Sequence, residues 1–102
     1  MACAREKVYS LLGKVPRGKI TTYGELAEAA GTHPRAVAML MKHNKDPFNI
    51  PCYKVARSDG TIGGYSGPGG VKRKISLLKA DGIRIKSNRI DLRKHLFRLS
   101  KS

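Results

Sequence analysis

Cys52 sits between Pro51 and Tyr53 in the run Asn44-Lys-Asp-Pro-Phe-Asn-Ile-Pro-Cys-Tyr-Lys-Val55, and Lys54 follows two positions later. The thiolate is the form of cysteine that attacks electrophiles, and a nearby cation favours it. Pro51 fixes its own φ and restricts Ile50, so the thiol is carried on a stiff stretch of backbone. One reading of this run is a reactive cysteine; the other is a small apolar side chain packed in a short strand. The second cysteine, Cys3, lies far away with no partner spacing. A disulfide framework and a cysteine-rich zinc site are both disfavoured, and a reducing intracellular setting, cytoplasmic or nuclear, is the expectation.

The elements that must position the thiol can be read from the caps and periodicity around it. Val8, Leu11, Leu12 and Val15 have helical spacing over residues 4 to 15, and Pro16 and Gly18 then break the pattern. Ile20-Thr21 reads as extended. Thr22-Tyr-Gly-Glu25 has the form of a capping box, opening a short helix that buries Leu26, Ala27 and Ala30 and stops at Gly31. Thr32 or His33 caps the next helix and Pro34 suits its first turn. Val37, Leu40 and Met41 form one face of that helix, while Arg35, Ala38, Met39 and Lys42 form the other.

Two short helices joined by a glycine turn make a helix-turn-helix, whose second helix commonly meets DNA; a plain helical hairpin has the same pattern. Beyond the Cys52 loop, residues 53–57 and 61–65 flank Ser58-Asp-Gly60 and read as a β-hairpin. The expected fold is therefore mainly α with a small β-hairpin wing, a winged helix-turn-helix. Gly63 to Gly70 is glycine-rich without the lysine of a phosphate loop. A helix follows from about Val71 to Ala80, with Val71, Ile75 and Leu78 inward and Lys72, Arg73, Lys74 and Lys79 outward. Ile83–Lys86 reads as a strand, and Asp91 caps a last helix burying Leu92, Leu96 and Leu99.

A chain of 102 residues is one domain, here with a basic extension from about residue 84 to 102. It carries 21 Lys and Arg against 7 acids, a net charge of +14. Such an excess in a small folded domain points to nucleic acid ahead of a membrane surface. No apolar run is long enough to span a bilayer, and the chain has no Trp for an interfacial helix. A monomer is the default expectation.

The combination Thr22-Tyr-Gly-Glu-Leu-Ala27, Arg35-Ala-Val37, Asn44, Ile50-Pro-Cys-Tyr-Lys-Val55, Gly64-Tyr-Ser-Gly67 and Leu77-Leu-Lys-Ala-Asp-Gly82 resembles the O(6)-alkylguanine-DNA alkyltransferases in order and spacing, over residues 5 to 85. The chain looks like their C-terminal, DNA-binding and active-site domain. The resemblance implies repair of duplex DNA containing O(6)-alkylguanine: the damaged nucleotide is flipped out and its alkyl group passes irreversibly to Cys52. It implies no metal and no cofactor. Tyr23 would rotate the target phosphate and help protonate the leaving guanine, Arg35 would fill the vacated stack, and Asn44 would brace the cysteine loop. Cys52, Val55, Tyr65 and Ser66 would line the base pocket. Arg35, Ala36, Ala38, Met39 and Lys42 would meet the minor groove.

Two positions depart from the family pattern. Its His-Arg-Val after the cysteine is Tyr53-Lys54-Val55 here, and its glutamate at the end of the following helix is Asp81. In the family, histidine, a water and that glutamate carry the thiol proton away. Tyrosine ionises near pH 10 against about 6.5 for histidine, so Tyr53 is a weak base at neutrality. Tyr53 is expected to hold a water with Asp81 behind it, while Lys54 or a helix N-terminus stabilises the thiolate. His33, His43 and His95 are expected at the surface. The alternatives are a lesion-binding, alkyltransferase-like protein that transfers nothing, and a winged-helix regulator. In such alkyltransferase-like relatives the cysteine is usually replaced, which Cys52 argues against.

Overall fold

Thr22 ends one element and starts the next: it closes a short strand, and its Oγ1 accepts the Glu25 N–H at 3.0 Å, capping the helix that begins at Tyr23. The computed structural model describes residues 4–45, 50–63 and 69–99. In chain order these form α1 (Ala4–Leu12), β1 (Thr21–Thr22), α2 (Tyr23–Ala30), α3 (Pro34–Lys42), a 3-10 turn (Cys52–Lys54), β2 (Val55–Ala56), α4 (Gly70–Ala80), β3 (Ile85–Lys86), β4 (Arg89–Ile90) and α5 (Leu92–His95).

The helix-turn-helix forms as its caps dictate. Gly31 takes φ +74° and returns its N–H to α2, a left-handed C-cap that a side chain would oppose. His33 caps α3 by accepting the Ala36 N–H on Nδ1, with Pro34 at the first helical position. α1 packs against both helices. Val8, Leu12, Leu26, Val37 and Met41 close that core together with Cys52 and Val55. A second core joins Ile20, Ala56, Ile62, Leu78, Ile83 and Ile90. Between the two, β1 and β2 run parallel, pairing Thr21 with Val55 and Thr22 with Ala56.

The hairpin expected over 53–57 and 61–65 does not form across the described residues. Residues 52–54 coil into the 3-10 turn, and Val55–Ala56 pairs with β1, a segment remote in sequence. What remains is a tight turn, closed by Arg57 N–H to Thr61 O and Gly60 N–H to Arg57 O, both 2.9 Å. The hairpin of this fold is β3–β4, turned by Ser87 and Asn88 at φ 53° and 60°, the left-handed pair that a two-residue hairpin requires.

The basic extension is built into the domain. Ile20 donates to His95 O at 2.8 Å and accepts from Phe97 N–H at 2.7 Å, so Leu96 runs parallel beside Ile20. Ile90 N–H bonds Gly60 O at 2.8 Å, and Ile62 N–H bonds Asn88 O at 3.1 Å. Leu99 N–H reaches Glu25 Oε1 at 2.7 Å. His95, expected at the surface, is buried, with Nδ1 at 3.2 Å from Gly18 O and Nε2 facing the Arg84 N–H at 3.4 Å. Leu92, Leu96 and Leu99 are only half-buried, so the histidine is the residue that α5 inserts.

Gly60 is where turn and extension meet. Its φ is +93°, and a Cβ there would lie 2.9 Å from Ile90 O. Gly60→Ala is expected to destabilise the fold by about 2 kcal/mol, since strained backbone and a backbone clash add. Thermal unfolding should move down by roughly 10 °C. An unchanged midpoint would mean the extension does not depend on this junction.

Candidate functional site

Pro51 adopts φ −77°, ψ 71°, and the Cys52 N–H bonds the Ile50 carbonyl two residues back at 2.7 Å. This is an inverse γ-turn, and the proline ring supplies its φ. The same Ile50 carbonyl accepts Asn44 Nδ2–H at 2.9 Å. Asn44 lies just past the end of α3, so one carbonyl ties the outer helix of the helix-turn-helix to the cysteine turn. Cys52 is 6% exposed, within the core shared by α1, α2 and α3. Val55 is fully buried beside it.

The residues expected to act with Cys52 divide into those brought to it and those directed elsewhere. Tyr23, the first residue of α2, is half-buried and packs against the same core. Burial raises its hydroxyl above the ordinary phenol range; the Arg57 guanidinium pulls it down and charge on Cys52 pushes it up. Tyr9 on α1 also feels Cys52: burial raises its hydroxyl first, Arg5 lowers it and Cys52 raises it.

Tyr53 Oη donates directly to Asp81 Oδ2 at 2.9 Å, so phenol and carboxylate meet without the water expected between them. Lys54 does not serve the sulfur as expected. Its buried ammonium bonds Val15 O at 3.0 Å and lies 3.7 Å from Asp81 Oδ2. Two nearby oxygens attract it more effectively than one sulfur. Tyr65 and Ser66 lie outside the described residues.

Lys74, expected outward, is turned into the interior. Lys74 is 1% exposed, the largest fully buried side chain among the described residues. Its Nζ donates to Val55 O at 2.8 Å and to Ile62 O, joining the segments on either side of the 57–61 turn. Burial lowers its pKa from 10.5 to about 8, against an upward pull from charge on Cys52 and a further lowering by Arg57. Val71, expected inward, is instead 43% exposed at the start of α4. The signal available in the sequence was Lys74's place one turn before Leu78 on the stripe that ends at Asp81.

The face proposed for nucleic acid is open. Arg35, Ala38, Met39 and Lys42 are exposed along α3, with Met39 at 50%, and Ala36 is half-buried. Small side chains next to cations allow a backbone or groove to approach closely.

The domain family described as 6-O-methylguanine DNA methyltransferase, DNA binding domain, matches residues 4–83. A bifunctional methyltransferase/endonuclease of Picrophilus torridus is 50% identical over 92 residues, covering 88% of this chain and 30% of that protein. A methylated-DNA–protein-cysteine methyltransferase of Thermococcus kodakarensis is 46% identical over 80 residues, 78% of this chain and 44% of its own length. The chain thus spans less than half the length of these relatives. Among solved structures, S. pombe Atl1 in complex with damaged DNA containing O6-carboxymethylguanine superposes with a TM-score of 0.84 at 28% identity, covering 96% of this chain and 99% of Atl1.

Proposed function

We propose that this chain, which belongs to the 6-O-methylguanine DNA methyltransferase DNA-binding family, receives an alkyl group from O6 of guanine in duplex DNA on Cys52. The observation that carries this reading is the shared carbonyl of Ile50, which holds the Cys52 turn and Asn44 together at 2.7 and 2.9 Å. Whatever seats α3 on DNA thereby also fixes the sulfur. The O6 atom of a stacked guanine is out of reach, so the nucleotide must leave the stack. Arg35, exposed at the start of α3, would fill the space left behind by stacking and bonding. Asp59 to Gly63 and the β3–β4 hairpin would take the part of a wing.

In the transfer itself the Cys52 sulfur forms a bond to the alkyl carbon while the carbon–O6 bond breaks, and the electron pair goes to the guanine. The thiol gives its proton to solvent beforehand. The departing guanine takes a proton from the Tyr23 hydroxyl, which solvent restores. The Tyr53 phenol, already donating to Asp81, keeps its proton and anchors the 3-10 turn to α4. Lys74, bonded to the Val55 and Ile62 carbonyls, holds the backbone that follows the cysteine turn.

The test is intact-mass analysis after incubation with duplex DNA containing O(6)-methylguanine. A gain of one methyl group, mapped to the peptide holding Cys52, is the expected result. A second reading, lesion binding without transfer, draws support from the match along 99% of Atl1, a span that includes the extension packed here on Ile20, just before β1. Duplex bound with no gain in mass would overturn the first reading in favour of the second.

A further inference from the structure

The turn after β2 is packed directly onto the start of α2. At Gly24, next to Tyr23, a Cβ would meet Ser58 Oγ at 2.9 Å; at Gly63 a Cβ would lie 3.6 Å from Tyr23 Oη and 3.7 Å from Arg57 Nε. The Arg57 side chain and the Tyr23 hydroxyl therefore border the same point beside Gly63. Arg57 is exposed, and among the described residues no carboxylate pairs with it.

Its turn is nonetheless locked from several directions. Asp59 Oδ1 accepts from the Thr61 N–H at 3.0 Å and from its hydroxyl at 2.7 Å. Gly60 and Ile62 are bonded to the extension at Ile90 and Asn88, and Lys74 holds Ile62 from inside. An exposed guanidinium on a fixed turn beside a functional phenol is a preorganised anion site, because the planar fork takes two phosphate oxygens at once.

We propose that Arg57 is a second phosphate-holding arm, gripping together with Tyr23 the backbone phosphate of the flipped alkylguanine nucleotide. This rests on the DNA reading above and adds a positioning residue to it. It also gives the extension a role: β3–β4 braces the turn that presents Arg57. The influence of Arg57 on both the Tyr23 hydroxyl and Lys74 fits a guanidinium within electrostatic reach of the site.

The experiment compares wild type, Arg57→Ala and Arg57→Lys on two substrates: duplex containing O(6)-methylguanine, and free O(6)-benzylguanine, which has no phosphate. Arg57→Ala is expected to slow transfer from the duplex about tenfold. It should reduce the salt dependence of duplex binding by about one counterion, with the free-base rate falling less than the duplex rate. Arg57→Lys should restore the salt dependence and only part of the rate. An equal loss on both substrates would overturn the proposal, since Arg57 would then act through Tyr23 or the fold; so would no loss on the duplex. If wild type reacts with neither substrate, the transfer reading fails on its own. Lesion-duplex binding then decides the role of Arg57, an unchanged salt slope in Arg57→Ala overturning it.

Discussion

Cys52→Ala is expected to abolish alkyl transfer while leaving affinity for lesion-containing duplex within a few-fold of wild type. The two halves have separate physical origins. Transfer needs a polarisable nucleophile at this position, and alanine offers none. On the proposed reading, binding would draw on phosphate contacts from a surface of net charge +14 and on the exposed residues of α3, none of which depends on the sulfur. The substitution is mild for the fold, because Cys52 is a small buried side chain and alanine removes one atom, at a cost of about 1 kcal/mol. The γ-turn is made by backbone and Pro51, and the Asn44 bond ends on Ile50, so the loop keeps its shape. Electrophoretic binding and single-turnover transfer measured on the same preparation read both halves. Residual transfer at the wild-type rate would move the acceptor away from Cys52, with Cys3 the first alternative to remove. Loss of binding together with transfer would mean that the thiol supports recognition.

Much of the frame around this cysteine was legible because it is local. Thr22, Gly31, His33 and Pro34 each act on backbone groups within four residues, so the helix-turn-helix follows from their types and spacing. Asn44 and Pro51 act over six residues or fewer. The misreadings are non-local. β2 pairs with a strand more than thirty residues earlier, and nothing near Val55 and Ala56 announces a parallel partner. The hairpin expected over 53–57 and 61–65 is absent across the described residues for that reason. Lys74 and His95 were placed at the surface by polarity alone. Both are buried because backbone carbonyls supply their partners, and carbonyls carry no signature in the sequence. Lys54 suggests itself as the cation of the sulfur because it is near in sequence. In space Asp81 and the Val15 carbonyl claim it.

Lys74 yields the largest pH-dependent effect. Its pKa falls from 10.5 to about 8 on folding, mainly through burial, a difference of about 3 kcal/mol. The folded-state value lies below the unfolded one, which fixes the sign. Below pH 8 lysine is charged in both states, and the folded protein bears the whole cost of burying that charge. Between pH 8 and 10.5 the unfolded chain still binds the proton that the folded protein has released, so stability rises with pH. Above 10.5 the contribution is constant. Lys74→Met keeps the length and volume of the side chain without a titrating group. The stability of wild type relative to Lys74→Met is therefore expected to grow by about 3 kcal/mol between pH 8 and 10.5, because titrations not coupled to Lys74 are common to both proteins and cancel. Denaturant unfolding of the two proteins across that range measures the difference directly. A constant gap would mean that Lys74 keeps its proton throughout, held by the Val55 and Ile62 carbonyls and the charge of Cys52 strongly enough to offset its burial.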